Sequence, residues 1–247
     1  MSTQQIRSLS HRRRILGGTY AERVLAYSPL IYFPLNELSG TNAANLGSLG
    51  ASADGTYTGA TLNNAPGPDG KDGAPLFDGT DDNVNIYTAA LATAFDGDEG
   101  TLMLWQKVYS AAVWTDDTYR FGLILGYNTS NRIQLLKGND ADSNELVASR
   151  RASNTNKKAS TAVTPTAWFH HAITWSTTAD EQRNYYAGSQ YGTTQTSLGS
   201  WTGTLADTWC YIGAYNNGTL PWYGWLAHAA LFDYPMTATQ IADLAII

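Results

Sequence analysis

The chain has 247 residues, 43% apolar and 15% charged, with a net charge of −6. Its one cysteine, Cys210, excludes an intrachain disulfide and a multi-cysteine metal site, no apolar run approaches the roughly 18–20 residues that span a bilayer, and the basic start lacks the apolar stretch of a secretory leader. The 8 tryptophans, 15 tyrosines and 23 glycines suit strands and turns better than helices, so one all-β domain with appendages is the expectation.

Charge is segregated along the chain. Up to residue 25, five arginines (Arg7, Arg12, Arg13, Arg14 and Arg23) stand against Glu22, a net +4, while the remaining 222 residues hold 10 basic and 20 acidic side chains, a net −10. A short basic arm can be a solvated tail, a phosphate contact or a docking segment. An acidic body repels nucleic acid, so docking on a partner's acidic surface leads, with a solvated tail close behind. The expected division is residues 1–27 as the arm with a short helix and residues 28–247 as the body. Thr19 and Glu22 have capping-box spacing for that helix, and Pro29 ends it.

Leu30 to Glu37 reads as a strand near a sheet edge, because Pro34 cannot donate to a ladder. Residues 38–56 read as a long loop, and residues 63–75 as dense turn chemistry. Phe77 to Ile86 then packs an Asp-Gly turn, three carboxylates and the start of an alternating strand into ten residues. Val84 and Ile86 point to the core. Gly100 to Val108 reads as a core strand, and Tyr119–Tyr127 with Arg132–Lys137 as a hairpin. The polar residues 149–164 read as an exposed loop or weak edge strand. Strands follow at Trp168–Trp175, Asn184–Ala187, Trp209–Gly213 and Tyr223–Phe232. Thr237 and Gln240 cap a closing helix. Many strands with turns between them argue for a two-sheet sandwich.

Four of these segments, in this order, resemble a known family. They are Ser28 to Glu37, Phe77-Asp78-Gly79 through Ile86, Trp168 to Thr174, and Tyr223 to Phe232 with Met236-Thr237 and Ile241 to Leu244. The pattern resembles the laminin-G-like and pentraxin-like branch of the concanavalin A-like lectin/glucanase superfamily and covers residues 28–244. The resemblance implies an antiparallel jelly roll of two sheets, one of them concave. It implies glycan or protein binding, sometimes through calcium. Free-standing versions with a short N-terminal extension look like those of bacteriophage particles. Where the branch often carries an acidic residue after Gly224 and the aliphatic position, this chain has Ala227 and His228.

Retaining hydrolysis needs two carboxyl groups roughly 5 Å apart. The five glutamates, Glu22, Glu37, Glu99, Glu145 and Glu181, show no paired spacing on one strand. His170 and His171 fall on opposite faces of one strand and cannot share a metal as neighbours. No catalytic residue is assigned. Asp78, Asp81 and Asp82 are candidate calcium ligands, against the simpler reading of a solvated acidic turn. Trp114, Tyr119, Trp201 and Trp222 lie in or beside loop-like segments and are the candidate glycan contacts.

The leading expectation is a non-enzymatic structural display protein of a phage particle. It is made without a signal peptide, sits on the virion surface in several copies, and attaches to other virion proteins through Arg7, Arg12, Arg13, Arg14 and Arg23. The alternatives are a soluble carbohydrate-binding lectin module and, further off, a polysaccharide hydrolase.

Overall fold

The computed structural model describes residues 18–140 and 144–247. Helix α1 (Tyr20–Leu25) opens at Thr19 with the reciprocal Thr19–Glu22 capping box. Six strands follow: β1 (Ile31–Phe33), β2 (Asn42–Ala43), β3 (Gly55–Thr58), β4 (Thr61–Pro66), β5 (Gly73–Asp78) and β6 (Asn83–Asn85). Helix α2 (Ala89–Ala94) leads into β7 (Glu99–Val108), β8 (Arg120–Asn128), β9 (Asn131–Lys137), β10 (Leu146–Ala152) and β11 (Thr155–Thr161). The chain continues through β12 (Phe169–Ser176), β13 (Glu181–Tyr186), β14 (Ser189–Gln195), β15 (Tyr211–Ile212) and β16 (Tyr223–Phe232) to helix α3 (Ala238–Leu244).

The strands form an antiparallel two-sheet sandwich. The first sheet runs β14-β13-β12-β7-β16-β5-β4, with β1 also paired to β16, and the second runs β11-β10-β9-β8-β15-β6-β3-β2. Between them lies the main core, with Leu102, Leu104, Ile173, Trp175 and Leu231 from the first sheet facing Val84, Leu123, Leu125, Ile133, Leu135 and Ile212 from the second.

Strand alternation explains which faces are covered. In β7 the inward Leu102 and Leu104 alternate with Met103 and Trp105, which face out. Those outward residues are also buried, because α1 and α3 pack over them with Tyr20, Val24, Ile241 and Leu244. A strand buried on both faces therefore reads as a continuous apolar run. In β9 the inward Ile133 and Leu135 alternate with Arg132 and Gln134, and no helix among the described residues covers that outer face.

Three sequence expectations change. Residues 38–56 contain β2 and part of β3, and residues 63–75 span the β4–β5 hairpin. Those strands are short or lie at an edge, and β4 carries little apolar alternation, so turn residues dominate the pattern. For residues 149–164 the edge-strand alternative holds: they complete β10 and form β11, the edge strand of the second sheet. Arg23, expected in an exposed docking arm, is only 8% exposed. It lies over the Tyr20 ring, 5.2 Å from its centroid, and donates to the Ile246 carbonyl. Apolar residues Tyr20 and Val24 hold α1 on the body, and Arg23 is carried in with them. The other four arginines, Arg7, Arg12, Arg13 and Arg14, lie outside the described residues.

Candidate functional site

The outer face of the second sheet carries a groove of 340 Å³. Outward positions of β8, β9, β10 and β11 build it: Phe121 from β8, Arg132, Gln134 and Leu136 from β9, Val147 and Ser149 from β10, and Asn156 and Lys158 from β11. Cross-strand register places Ser149 opposite both Gln134 and Lys158. Tyr119, Tyr215 and Leu220 close one end. Phe121 and Tyr215 pack ring to ring at 4.5 Å, and Trp209 meets Tyr215 edge-on at 5.3 Å. The result is an apolar and aromatic floor edged by amides, hydroxyls and cations. Among the described residues that line it there is no carboxylate, imidazole or thiol.

The groove end is tied to the acidic turn. Arg120 Nη1 donates to the Gly79 and Pro221 carbonyls, both at 3.1 Å. Its Nε and Nη2 hold Asp116 Oδ2 at 3.0 and 2.9 Å. Asp116 Oδ1 accepts from Lys137 Nζ at 2.8 Å. Burial pushes the Asp116 carboxyl up, but its bonds to Lys137 and Arg120 outweigh that and hold it below its ordinary value.

The turn itself brings Asp78, Asp81 and Asp82 together, with ligand oxygens within 4.8 Å of one another. Opposite ligands on a calcium ion sit roughly 4.6–5.2 Å apart, so the three carboxylates fit around one ion. Local bonds shape the cluster: Asp82 Oδ2 accepts from the Asp78 amide at 2.7 Å, and Asp78 Oδ1 from the Thr80 amide at 2.8 Å. Gly79 turns the chain at φ +81°, where a side chain would meet Arg120 and Tyr223. Asp82 is 4% exposed, and its carboxyl is pushed above the usual value, first by burial and further by the Asp78 and Asp81 charges. A cation there would offset that repulsion. The residues thus fit calcium, and the ligand set would be these three carboxylates with oxygens from the turn backbone or solvent. At about 100 times its Kd, calcium is expected to raise the melting temperature by roughly 5–10 °C in the wild type and not in Asp81→Asn. Because Asp82 holds its proton to higher pH, the effect should shrink on acidification. A melting temperature indifferent to calcium would rule this ion out.

Of the four aromatic residues expected to contact glycans, Tyr119 lines the groove, and the three tryptophans do not. Trp114, Trp201 and Trp222 are 1%, 8% and 0% exposed. Each buries its ring in the inter-sheet core, and each indole N–H finds a carbonyl: Pro165 for Trp114, Gly203 for Trp201 and Lys107 for Trp222. Loop tryptophans close the open edges of the sandwich here. Phe121, Arg132, Gln134, Ser149, Asn156, Lys158 and Tyr215 were not singled out by sequence. The polar-apolar alternation of Arg132-Ile133-Gln134-Leu135 was the signal that one face of this sheet stays open.

An open, aromatic-floored groove on one face of a two-sheet antiparallel sandwich defines a lectin-like binding domain. Residues 78–242, more than half the chain, match the family described as concanavalin A-like lectin/glucanases superfamily, and the chain belongs to it. No curated protein sequence matches significantly. Among solved structures, the botulinum neurotoxin serotype D binding domain superposes with a TM-score of 0.64 at 11% identity, over 88% of this chain and 51% of that one. Domain 4 of AbnA, an extracellular arabinanase from Geobacillus stearothermophilus in complex with arabinotriose, gives 0.59 at 19% identity, over 89% and 98%. Trypanosoma rangeli sialidase in complex with sialic acid gives 0.60 at 10% identity, over 96% and 38%. The chain thus spans about half of the toxin structure and a smaller share of the sialidase. These likenesses are of fold.

Proposed function

We propose that this domain binds carbohydrate without catalysis, and that the groove on the second sheet is its glycan site. The observation that carries the reading is the lining: aromatic rings of Tyr119, Phe121 and Tyr215 for stacking on sugar faces, beside Gln134, Ser149 and Asn156 for hydroxyl groups, with no acid-base pair among them. The arabinotriose and sialic acid complexes of two proteins of like fold support it. The same reading takes the sandwich as a jelly roll whose concave sheet bears the groove. Tyr215→Ala is expected to lower glycan affinity at least about 10-fold, measured by titration calorimetry with hits from a glycan array. Equal binding by the variant, at unchanged melting temperature, would move the site elsewhere.

A second reading places the domain on the surface of a phage particle in many copies, held by partner proteins through the arm. It is supported by charge segregation, with Arg7, Arg12, Arg13 and Arg14 preceding an acidic body. Deleting residues 1–17 should leave glycan binding intact and abolish co-purification with particles; retained incorporation would reject the arm as the attachment.

A further inference from the structure

We propose that the glycan taken by the groove is acidic, its carboxylate or sulfate seated on the paired guanidinium groups of Arg132 and Arg151; this rests on the groove being the glycan site. The two arginines are directly opposite in the β9–β10 register, on the outer face shared with Gln134, Val147 and Ser149. Like charges directly opposite on one sheet face are destabilising, and no acidic side chain among the described residues pairs with these two. The ion pairs among the described residues join Asp116 to Arg120 and Lys137, and Glu181 to Arg183. Among the described residues Arg132 reaches uncharged groups: Gln134 Oε1 at 3.0 Å, the Thr129 carbonyl, and the Tyr215 ring at 6.0 Å. Arg151 Nε is buried and bonds to none of the described residues. Among the described residues, no carboxylate lines the same wall. On a chain with net charge −6, such a spot favours an anion that arrives with the ligand. Tyr215, against which Arg132 lies, offers the sugar ring a face beside its charged group. Guanidinium groups match the planar oxygens of a carboxylate and also hold sulfate.

The test is titration calorimetry on the full chain with oligogalacturonate and with a sulfated oligosaccharide, each beside its neutral parent, plus a single-stranded oligonucleotide. The acidic ligand that fits is expected to bind at least about 10-fold tighter than its neutral parent and to weaken as salt rises. Arg132→Gln and Arg151→Gln should each bring the ratio of acidic to neutral affinity down to about one and flatten its salt dependence; the two arms distinguish carboxylate from sulfate. Neutral parents binding as tightly as the acidic ligands, with both variants unaffected, would overturn the acidic preference, while a loss in Tyr215→Ala would keep the groove as the site. If Tyr215→Ala and both arginine variants bind every glycan as the wild type does, the groove reading falls and this inference with it. Tighter binding of the oligonucleotide than of either acidic glycan would also overturn it. Melting curves of each variant confirm that the proteins compared are folded.

Discussion

Replacing Asp116 with alanine is expected to destabilise the fold by about 2–4 kcal/mol, somewhat below the cost of breaking a fully buried ion pair, because the Asp116 side chain is 23% exposed while its partner is buried. The stranded partner is Lys137, whose side chain is fully buried at the end of β9. Its ammonium holds three oxygens: Asp116 Oδ1 at 2.8 Å, the Thr118 carbonyl at 3.1 Å and Asn144 Oδ1 at 2.7 Å. Two of these survive the substitution, but neither carries charge. Arg120 also loses both bonds to Asp116 Oδ2, so its grip on the Gly79 and Pro221 carbonyls loosens. Removing the buried charge as well, in Asp116→Ala with Lys137→Met, should recover more than half of the loss. Denaturant unfolding of the two variants decides it. A double variant no more stable than the single one would show that the cost lies in Arg120 rather than in the buried ammonium.

The second large effect is acid lability. His170, His171 and His228 are buried, and burial lowers their imidazoles to about 3, about 3 and about 4, with the His170 charge adding to the shift at His171 and Asp69 opposing it at His228. The unfolded chain takes up three protons near pH 6.5 that the folded one refuses until far lower pH. Stability is therefore full above about pH 6.5, falls as pH drops, and stops falling on this account near pH 3–4. At pH 5 each histidine contributes a loss of about 2 kcal/mol, roughly 6 in all. That rivals the whole stability of an ordinary domain, about 5–15 kcal/mol. His170 is the best single probe. Among the described residues its Nδ1 has no hydrogen-bond partner and its Nε2 meets Met103 Sδ at 3.4 Å. His170→Leu should be tolerated at pH 7.5 and should lower the slope of stability against pH by about one proton between pH 6 and 4. Stability that stays level from pH 7 to pH 5 in the wild type would refute the account.

Strands buried on both faces were the most legible part of the sequence. Gly100 to Val108 carries the apolar run Leu102 to Trp105, Trp168 to Trp175 is mostly aromatic and apolar, and both lie at the centre of the first sheet. Edge strands were not legible in the same way. β4, β11 and β14 expose much of their length, so their sequences need only tolerate extension. The Asp78-Gly79 turn and the inward Val84 and Ile86 follow from local rules. The tryptophans did not, because loop position says nothing about whether a ring folds back over the sandwich edge. The groove escaped for a related reason. Its residues come from four neighbouring strands and one distant loop, and only the strand order β11-β10-β9-β8 brings them side by side. Arg150 and Arg151 show the limit sharply. Adjacent and identical in type, one is sealed between the sheets against the Gly97, Leu198 and Gly199 carbonyls, and the other belongs to the open face.

The stitching of α1 to α3 fixes an orientation. Tyr20 donates to the Leu244 carbonyl at 2.7 Å, Arg23 to that of Ile246, and Tyr27 to Asp243 at 2.9 Å. The two helices lie side by side on the outside of the first sheet, and the groove opens from the outside of the second. Whatever is joined at either end of the body thus leaves from the back, and the ligand approaches from the front. A scaffold gripping both ends would leave the groove facing away from it, like a cupped palm on a raised arm.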